Sequence, residues 1–234
     1  MTKTEDPRFA DYESHAELAL SHETEALNDV SRSLLMLERS AQALTRVLEA
    51  TERDAINQPA IAKALKETEF DPIAYAHIAY DLREFLLVLM DLDAILAADS
   101  DYAHSQFRYR PVRFLEVGCG PGRNLYVVRN SGMLLWKSVE GFDIIGPYIE
   151  AANATFQLGD AVWQDDARSF DFGGYDVVFS YRPFVNPEVE AEYENRLVES
   201  MNTGAYLISP LNETHNQDTR LVAFGETNVI WKRL

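Results

Sequence analysis

A glycine-rich turn is the part of the sequence whose residue types most clearly indicate chemistry. The apolar run Phe114–Val117 leads into GCGPG at residues 118–122, and a helix is predicted to begin near Asn124. Glycines permit a tight turn and let the backbone approach a ligand without a Cβ clash. The first N–H groups of the helix are free to bind polar ligand atoms. The segment Glu116–Gly122 therefore predicts a site for a nucleotide-like ligand.

A second chemical signal is an acid at the end of the next predicted strand. Asp143 follows Gly118 by 25 residues. In Rossmann folds, an acid at this place accepts hydrogen bonds from both ribose hydroxyls. Glu140 is the competing acid, but it lies inside the strand rather than at its carboxyl end. We therefore favour Asp143.

The GxGxG spacing, with Glu116 two residues ahead of it, resembles motif I of the class I S-adenosylmethionine-dependent methyltransferases, commonly E/D-x-G-x-G-x-G. Dinucleotide binders more often have GxGxxG, and here Arg123 stands at the last glycine of that pattern. Phosphate-loop NTPases need GK[ST], which is missing. WQDDARSFDF at residues 163–172 resembles the family's adenine-recognition loop, and GGYDVVFSYRPF at residues 173–184 resembles its fourth strand. The resemblance covers roughly the last 120 residues and none of the chain before them.

The resemblance implies S-adenosylmethionine as cofactor and gives several residues a role in binding it. Glu116 would order the turn and face the methionine end, or lie at the strand end as a surface carboxylate. Ile144 would lie against the adenine. Asp166 would accept a hydrogen bond from the exocyclic amine of the adenine, and the Ala167 N–H would reach a ring nitrogen. Asp165 is displaced by one residue from the position that Asp166 would occupy. Either of these two acids could instead belong to a simple polar turn. The implied cofactor-binding residues are Glu116, Gly118, Cys119, Gly120, Gly122, Asn124, Asp143, Ile144, Asp166, Ala167 and Ser180.

Residues that would act on the methyl acceptor are expected just after the fourth strand, because ligands of such folds bind at the carboxyl edge of the sheet. Methyl transfer from a sulfonium depends on alignment and desolvation, and it needs a base only if the nucleophile arrives protonated. Tyr181 could polarise or shield an amine, and Arg182 could bind an acidic group; these are the candidate catalytic residues. Alternatively, Tyr181 packs under the cofactor and Arg182 pairs with Glu190. The segment lacks the D/N/S-P-P-Y/F motif of amino-methylating DNA enzymes.

No metal site is predicted. The single cysteine, Cys119, excludes an intramolecular disulfide and a cysteine-based zinc site, and we assign it no nucleophilic role. The five histidines show no metal-ligand spacing; they are His15, His22, His77, His104 and His215.

The chain ahead of the turn has a different composition. No glycine precedes Gly118, and Ala, Leu and Glu favour helix. A heptad begins at Leu20, Pro59 is expected to break that helix, and a second helical block is predicted from about Pro72 to Ala98. The apolar heptad positions are Leu20, Leu27, Leu34, Ala41 and Leu48, with Val30, Leu37 and Leu44. We predict a helical extension over residues 1–101 that serves packing, a homodimer or a substrate cap.

Residues 102–234 are predicted to form the S-adenosylmethionine-binding domain, in which the cofactor-binding fold itself starts near Arg113. Short β-rich runs alternate with helices here, which predicts parallel βαβ units. The last two runs are separated only by Gly225–Asn228, so they should form an antiparallel hairpin. The predicted fold class is therefore α/β, a Rossmann-like, mostly parallel sheet with a C-terminal antiparallel hairpin, preceded by an all-α N-terminal extension. The runs are Val112–Val117, Ser138–Asp143, Tyr175–Ser180, Ala205–Ser209, Leu221–Phe224 and Val229–Trp231.

Charge and hydropathy bear on partners and location. A net charge of -17 repels phosphate backbones. Nucleic acid is therefore disfavoured as a partner, although not excluded, despite the local cluster of Arg108, Arg110 and Arg113. The N-terminus has no run resembling a signal peptide, and the longest apolar stretch, Phe85–Met90, is too short to span a bilayer. We expect a cytoplasmic protein that does not enter membranes.

The predicted function is methyl transfer to a small molecule or a protein side chain. Little chain remains after Pro210 to form a substrate site, so the helical extension is expected to supply specificity. The alternative is a non-catalytic S-adenosylmethionine-binding regulatory or assembly protein that oligomerises through its N-terminal helices.

Overall fold

The computed structural model describes residues 32, 35, 36, 38–68, 77–210 and 213–234. The chain divides into two compact units, Met1–Val47 and Leu48–Leu234. In the first unit all described residues are helical. The heptad positions from Leu20 to Leu37 lie outside the described residues, so the coiled coil and the homodimer stay predictions.

The second unit begins with three helices. The part of helix α1 that belongs to this unit is residues 48–57. Helix α2, Pro59–Glu67, starts with its proline in the first turn, where no N–H is needed. Helix α3 is Leu82–Ala98, and the Asp81 carboxylate caps it by accepting the N–H of Glu84 at 3.0 Å. Residues 77–81 precede α3 and are not helical, so the predicted start near Pro72 is wrong for these residues.

A seven-stranded sheet forms the centre of this unit, in the order β3-β2-β1-β4-β5-β7-β6. Neighbours from β3 to β5 are parallel, whereas β7 is antiparallel to both β5 and β6. The α/β class, the parallel sheet and the C-terminal hairpin are thus confirmed. The strands are β1 Val112–Val117, β2 Trp136–Asp143, β3 Val162–Gln164, β4 Val177–Ser180, β5 Tyr206–Ile208, β6 Leu221–Phe224 and β7 Ile230–Arg233.

Helices cover both faces of the sheet, which is why the central strands are apolar on both sides. In β1, Phe114 packs on the face that carries α3, and Leu115 packs on the opposite face with Leu197 of α6. The helices that follow the strands are α4 Arg123–Ser131, α5 Gly146–Phe156 and α6 Pro187–Ser200.

Helix α3 belongs to the same core as the sheet. Its residues Phe85, Leu89 and Leu92 are fully buried in one cluster with Phe114 and Phe179 of the sheet. The compact unit that starts at Leu48 therefore includes α3 in its core, and the domain boundary at residue 102, suggested by the change in composition, stays a prediction. The change in composition shows where glycines and strands first occur in the sequence. Which helices belong to the same core follows from the burial of their side chains.

Candidate functional site

A cleft lies at the carboxyl ends of β1 and β4. These neighbouring strands lead into α4 and α6, which cover opposite faces of the sheet, and ligands of open α/β sheets bind at such a switch point. The empty space in the cleft is about 580 Å³, part of it open to solvent. It is lined by His77, Ile78, Val117, Gly118, Phe142, Asp143, Ile144, Asp165, Asp166, Ala167, Tyr181, Arg182, Pro183 and Phe184.

The three glycines of the turn all have positive φ, but they face different surroundings. A Cβ on Gly118 would meet nothing within 4 Å, because this residue faces the open cleft. A Cβ on Gly120 would come within 2.7 Å of the His77 ring. At Gly122 it would come within 2.5 Å of Leu158, so this glycine permits packing inside the protein. Only Gly118 leaves its space to a ligand.

Asp143 closes the glycine turn onto the end of β2. One carboxylate oxygen accepts the Gly120 N–H at 2.9 Å, and the other accepts the Ile145 N–H at 2.8 Å. Burial raises the pKa of Asp143, although both hydrogen bonds oppose that shift. Glu140, the competing acid, instead accepts a hydrogen bond from the Tyr175 hydroxyl at 2.8 Å and does not line the cleft.

Glu116 is buried, with 3% exposure, so it is not a surface carboxylate. Its side chain points toward α4, where Asn124 donates a hydrogen bond to Oε1 at 2.8 Å. The other oxygen, Oε2, is buried without a hydrogen-bond partner among the described residues. Burial raises the pKa of Glu116 to about 8.

A smaller, mostly polar cavity of about 340 Å³ adjoins the cleft and contains Glu116. Cys119 also lines it, and burial raises the pKa of this thiol, which disfavours the thiolate form. Glu52 from α1 and Arg123 from α4 meet there as a buried ion pair at 3.0 Å. Arg123 and Asn124 are further joined by a 3.1 Å hydrogen bond.

The loop after β3 lines the cleft as expected, but the predicted adenine-binding carboxylate is already engaged. Arg168 donates to both carboxylate oxygens of Asp166 at 2.6 to 3.0 Å, and this pairing holds the pKa of Asp166 below its usual range. Asp165 accepts the Asp166 N–H at 2.8 Å. Ile144 and Ala167 line the same cleft.

The segment after β4 divides between the cleft and the opposite face of the sheet. Ser180 lies on the α6 face, where its hydroxyl is hydrogen-bonded to the Tyr193 hydroxyl at 2.8 Å. Its side chain does not line the cleft, and the predicted cofactor contact stays a prediction. Tyr181 lines the cleft and packs against the Tyr80 ring at a centroid distance of 4.9 Å.

Arg182 is exposed at the cleft, with φ at 43°. Within the described part of the chain it forms no salt bridge with Glu190, although its positive charge acts to lower the pKa of that carboxyl. Glu190 accepts the Phe184 N–H at 2.9 Å instead. Burial, with help from nearby Glu194, raises the pKa of Glu190 to about 7.

Residues ahead of α3 that sequence reasoning left without a role also line these cavities: Glu52, His77, Ile78, Ala79 and Tyr80. Tyr80 is placed by its carbonyl, which accepts a hydrogen bond from Arg123, 43 residues further along the chain. No local pattern marks such residues. One signal was available in the sequence. Arg123 directly follows the glycine turn, and a cation buried at that place requires an acid as partner.

No family model matches the chain, and no curated protein matches it by sequence. Among solved structures it is similar to the plantazolicin methyltransferase BpumL with a triazolic desmethylPZN analog and S-adenosylhomocysteine, at 18% identity over 72% of this chain and a TM-score of 0.41. The match spans 60% of that methyltransferase.

Two further similar structures are also methyltransferases. One is an RNA methyltransferase from Salinibacter ruber with S-adenosyl-L-homocysteine, at 16% identity and a TM-score of 0.45. The match covers 67% of this chain and 92% of that chain. The other is an amino pentose methyltransferase from Micromonospora echinaspora, at 17% identity, 58% of each chain and a TM-score of 0.40. Because these identities and scores are low, the fold is assigned from the strand order and the turn. By these features the chain has a Rossmann-like fold, with a glycine-rich turn between the first strand of a mostly parallel sheet and the helix that follows it.

Proposed function

We propose that this protein is an S-adenosylmethionine-dependent methyltransferase that acts on a small molecule or a protein side chain. The observation that supports this most strongly is the pairing of Gly118, which leaves open space in the cleft, with Asp143 at the end of the neighbouring strand. Both stand at the switch point of the sheet, where a nucleoside is expected to bind.

The adenosine half of the cofactor fits the cleft chemically. A carboxylate offers about four acceptor positions, and Asp143 uses two of them for backbone N–H groups, so acceptor capacity remains for ribose hydroxyls. Ile144 and Ala167 supply apolar surface for the base. Since Arg168 occupies the Asp166 carboxylate, we assign adenine recognition to the backbone around Ala167 in preference to that side chain.

The methionine half fits the smaller polar cavity. The buried Oε2 of Glu116 lacks a partner, and an ammonium group would satisfy it. An ammonium there would favour the charged carboxylate that burial disfavours in the free protein. Asn124 holds the other carboxylate oxygen and so orients the group, without itself being required to touch the ligand.

The chain's own contribution to catalysis is positioning and exclusion of water. Bound S-adenosylmethionine would supply an electrophilic methyl group. Tyr181, braced by Tyr80, forms a wall of both cavities and would shield the reacting groups from solvent. Arg182 is exposed at the cleft and would attract an acidic group of the acceptor. The net charge of -17 favours a small molecule or protein over nucleic acid as acceptor.

Calorimetric titration of the full-length chain with S-adenosylhomocysteine tests cofactor binding. Asp143→Asn should weaken binding by about tenfold or more, since it removes a charged hydrogen-bond acceptor. Glu140→Gln is the matched control, because Glu140 lies on the same strand but outside the cleft. No binding to the unchanged protein would refute the proposal, and equal affinities for both variants would refute the assignment of Asp143.

Transfer of a labelled methyl group to components of a cell extract tests whether the protein is an enzyme. Labelling that falls with Tyr181→Ala or Arg182→Ala, while S-adenosylhomocysteine still binds, supports a catalytic role for the segment after β4. Binding without any transfer would favour the non-catalytic alternative.

A further inference from the structure

His77 lies between the cleft and the smaller cavity and lines both of them. Its ring covers Gly120, because a Cβ on that glycine would stand 2.7 Å from both Nδ1 and Cε1 of the imidazole. The N–H of Gly120 is bonded to Asp143. His77 and Asp143 are therefore neighbours on either side of one residue of the turn, and His77 also lowers the pKa of Asp143 electrostatically.

The imidazole lies between Glu52 of α1 and Tyr148 of α5. Nε2 lies 3.5 Å from Oε1 of Glu52, whose other oxygen is paired with Arg123 at 3.0 Å. The Tyr148 ring packs beside the imidazole at a centroid distance of 5.5 Å. Because Nε2 turns toward Glu52, Nδ1 is left on the side of the glycine turn.

The ring is polar but poorly satisfied in the described structure. Its Nε2 is buried without a hydrogen-bond partner, since 3.5 Å to Glu52 is too long for a good hydrogen bond. The side chain is 20% exposed, so part of it remains open to a ligand. Contacts of this kind often tighten when a ligand binds.

The chemistry of a ribose matches this pair of groups. Ionised Asp143 can only accept hydrogen bonds, whereas each ribose hydroxyl both donates and accepts. An imidazole nitrogen can take either role, depending on its proton. We propose that His77 is a second hydrogen-bonding partner for the ribose of the cofactor, beside Asp143, and that Glu52 is the positioning residue that fixes its ring. This inference rests on the proposed function.

Calorimetry with S-adenosylhomocysteine and its 2′-deoxy and 3′-deoxy analogues tests the contact in the full-length chain. His77→Phe keeps a ring over Gly120 but removes both nitrogens, and His104→Phe is the matched control at an exposed histidine. For His77→Phe we expect S-adenosylhomocysteine to bind about 5- to 10-fold more weakly. We also expect one deoxy analogue, lacking the contacted hydroxyl, to bind that variant as well as it binds the unchanged protein.

The role of Glu52 is tested by combining substitutions. Glu52→Gln should weaken binding less in the His77→Phe variant than in the unchanged protein, because only the part of its effect that acts through the imidazole is lost, while the part that acts through the Arg123 ion pair remains. An unchanged affinity of His77→Phe for S-adenosylhomocysteine would overturn the inference. So would an equal loss for all three ligands, which would indicate a merely structural ring. Failure of the unchanged protein to bind S-adenosylhomocysteine would instead refute the proposed function itself.

Discussion

At the scale of single residues, the glycines of the turn meet two different requirements, space for a ligand and close packing inside the protein. The sequence pattern alone does not tell which glycine meets which requirement. Gly118 leaves space in the cleft, while Gly122 permits close contact with Leu158 and with Ala152 on α5. The GxGxG pattern predicted the turn and its location. It could not predict which glycine faces a ligand, because that depends on side chains more than 25 residues away in the sequence.

Alanine at Gly122 should destabilise the fold more than alanine at Gly118. Both substitutions place a side chain at positive φ, which costs about 1 to 2 kcal/mol, but only Gly122→Ala also clashes with Leu158. Thermal unfolding of the two variants measures the difference. Gly118→Ala should instead weaken binding of S-adenosylhomocysteine, since its Cβ projects into the cleft. Equal melting temperatures would contradict this assignment of the two glycines.

Glu116 should make stability depend on pH in the absence of ligand. Burial raises its pKa from 4.5 to about 8, so the folded protein holds a proton that the unfolded chain releases, and stability falls as pH rises through that window. Glu116→Gln removes this effect. Urea unfolding at about pH 5 and about pH 8.5 should show that the variant gains stability relative to the unchanged protein at the higher pH. A difference that does not change with pH would contradict the buried, unpaired state of Glu116.

At the scale of secondary-structure elements, the sequence predicted most of the sheet because buried parallel strands read as apolar runs. Strands β1 and β6 match the predicted ranges, and the hairpin of β6 and β7 was identified from its short connection. The short strand β3, Val162–Gln164, was missed because only Val162 among its three residues is buried, so it does not read as an apolar run. The non-helical segment before α3 was also missed. It is held by Arg123 and Glu52, which are remote in the sequence.

Helix α3 should contribute to the stability of the sheet as a core element. Leu89 is fully buried, whereas Leu87 in the same helix is 45% exposed. Leu89→Ala should lower the free energy of unfolding by about 2 to 5 kcal/mol, through lost burial and a residual cavity. Leu87→Ala should change it by about 0.5 kcal/mol or less. Urea denaturation measures both, and equal losses would contradict the placement of α3 in the shared core.

At the scale of the whole molecule, the second unit joins helices from before the sheet to the sheet itself. The sequence suggested that the helical extension determines the acceptor, whereas Glu52 and His77 lie beside the glycine turn. The part of the chain that resembles the methyltransferases therefore contains only some of the residues at the candidate site. Among the described residues, no helix has the length and apolar composition needed to cross a bilayer.

The charge of the whole chain should prevent general binding to nucleic acid. With a net charge of -17, we expect a labelled RNA duplex to show no change in fluorescence anisotropy at about 10 μM protein and near-physiological salt. A cationic RNA-binding protein at the same concentration serves as the positive control. Binding that weakens steeply with salt would reveal a local basic surface and restore nucleic acid as a candidate acceptor.

A crystal structure with S-adenosylhomocysteine tests the central claim most directly, because it locates every part of the ligand relative to the switch point. We predict that the ribose lies against Asp143 beside Gly118, that the base lies between Ile144 and Ala167, and that the amino-acid end reaches Glu116. A ligand bound outside the cleft, or with its ribose away from Asp143, would contradict the proposed site.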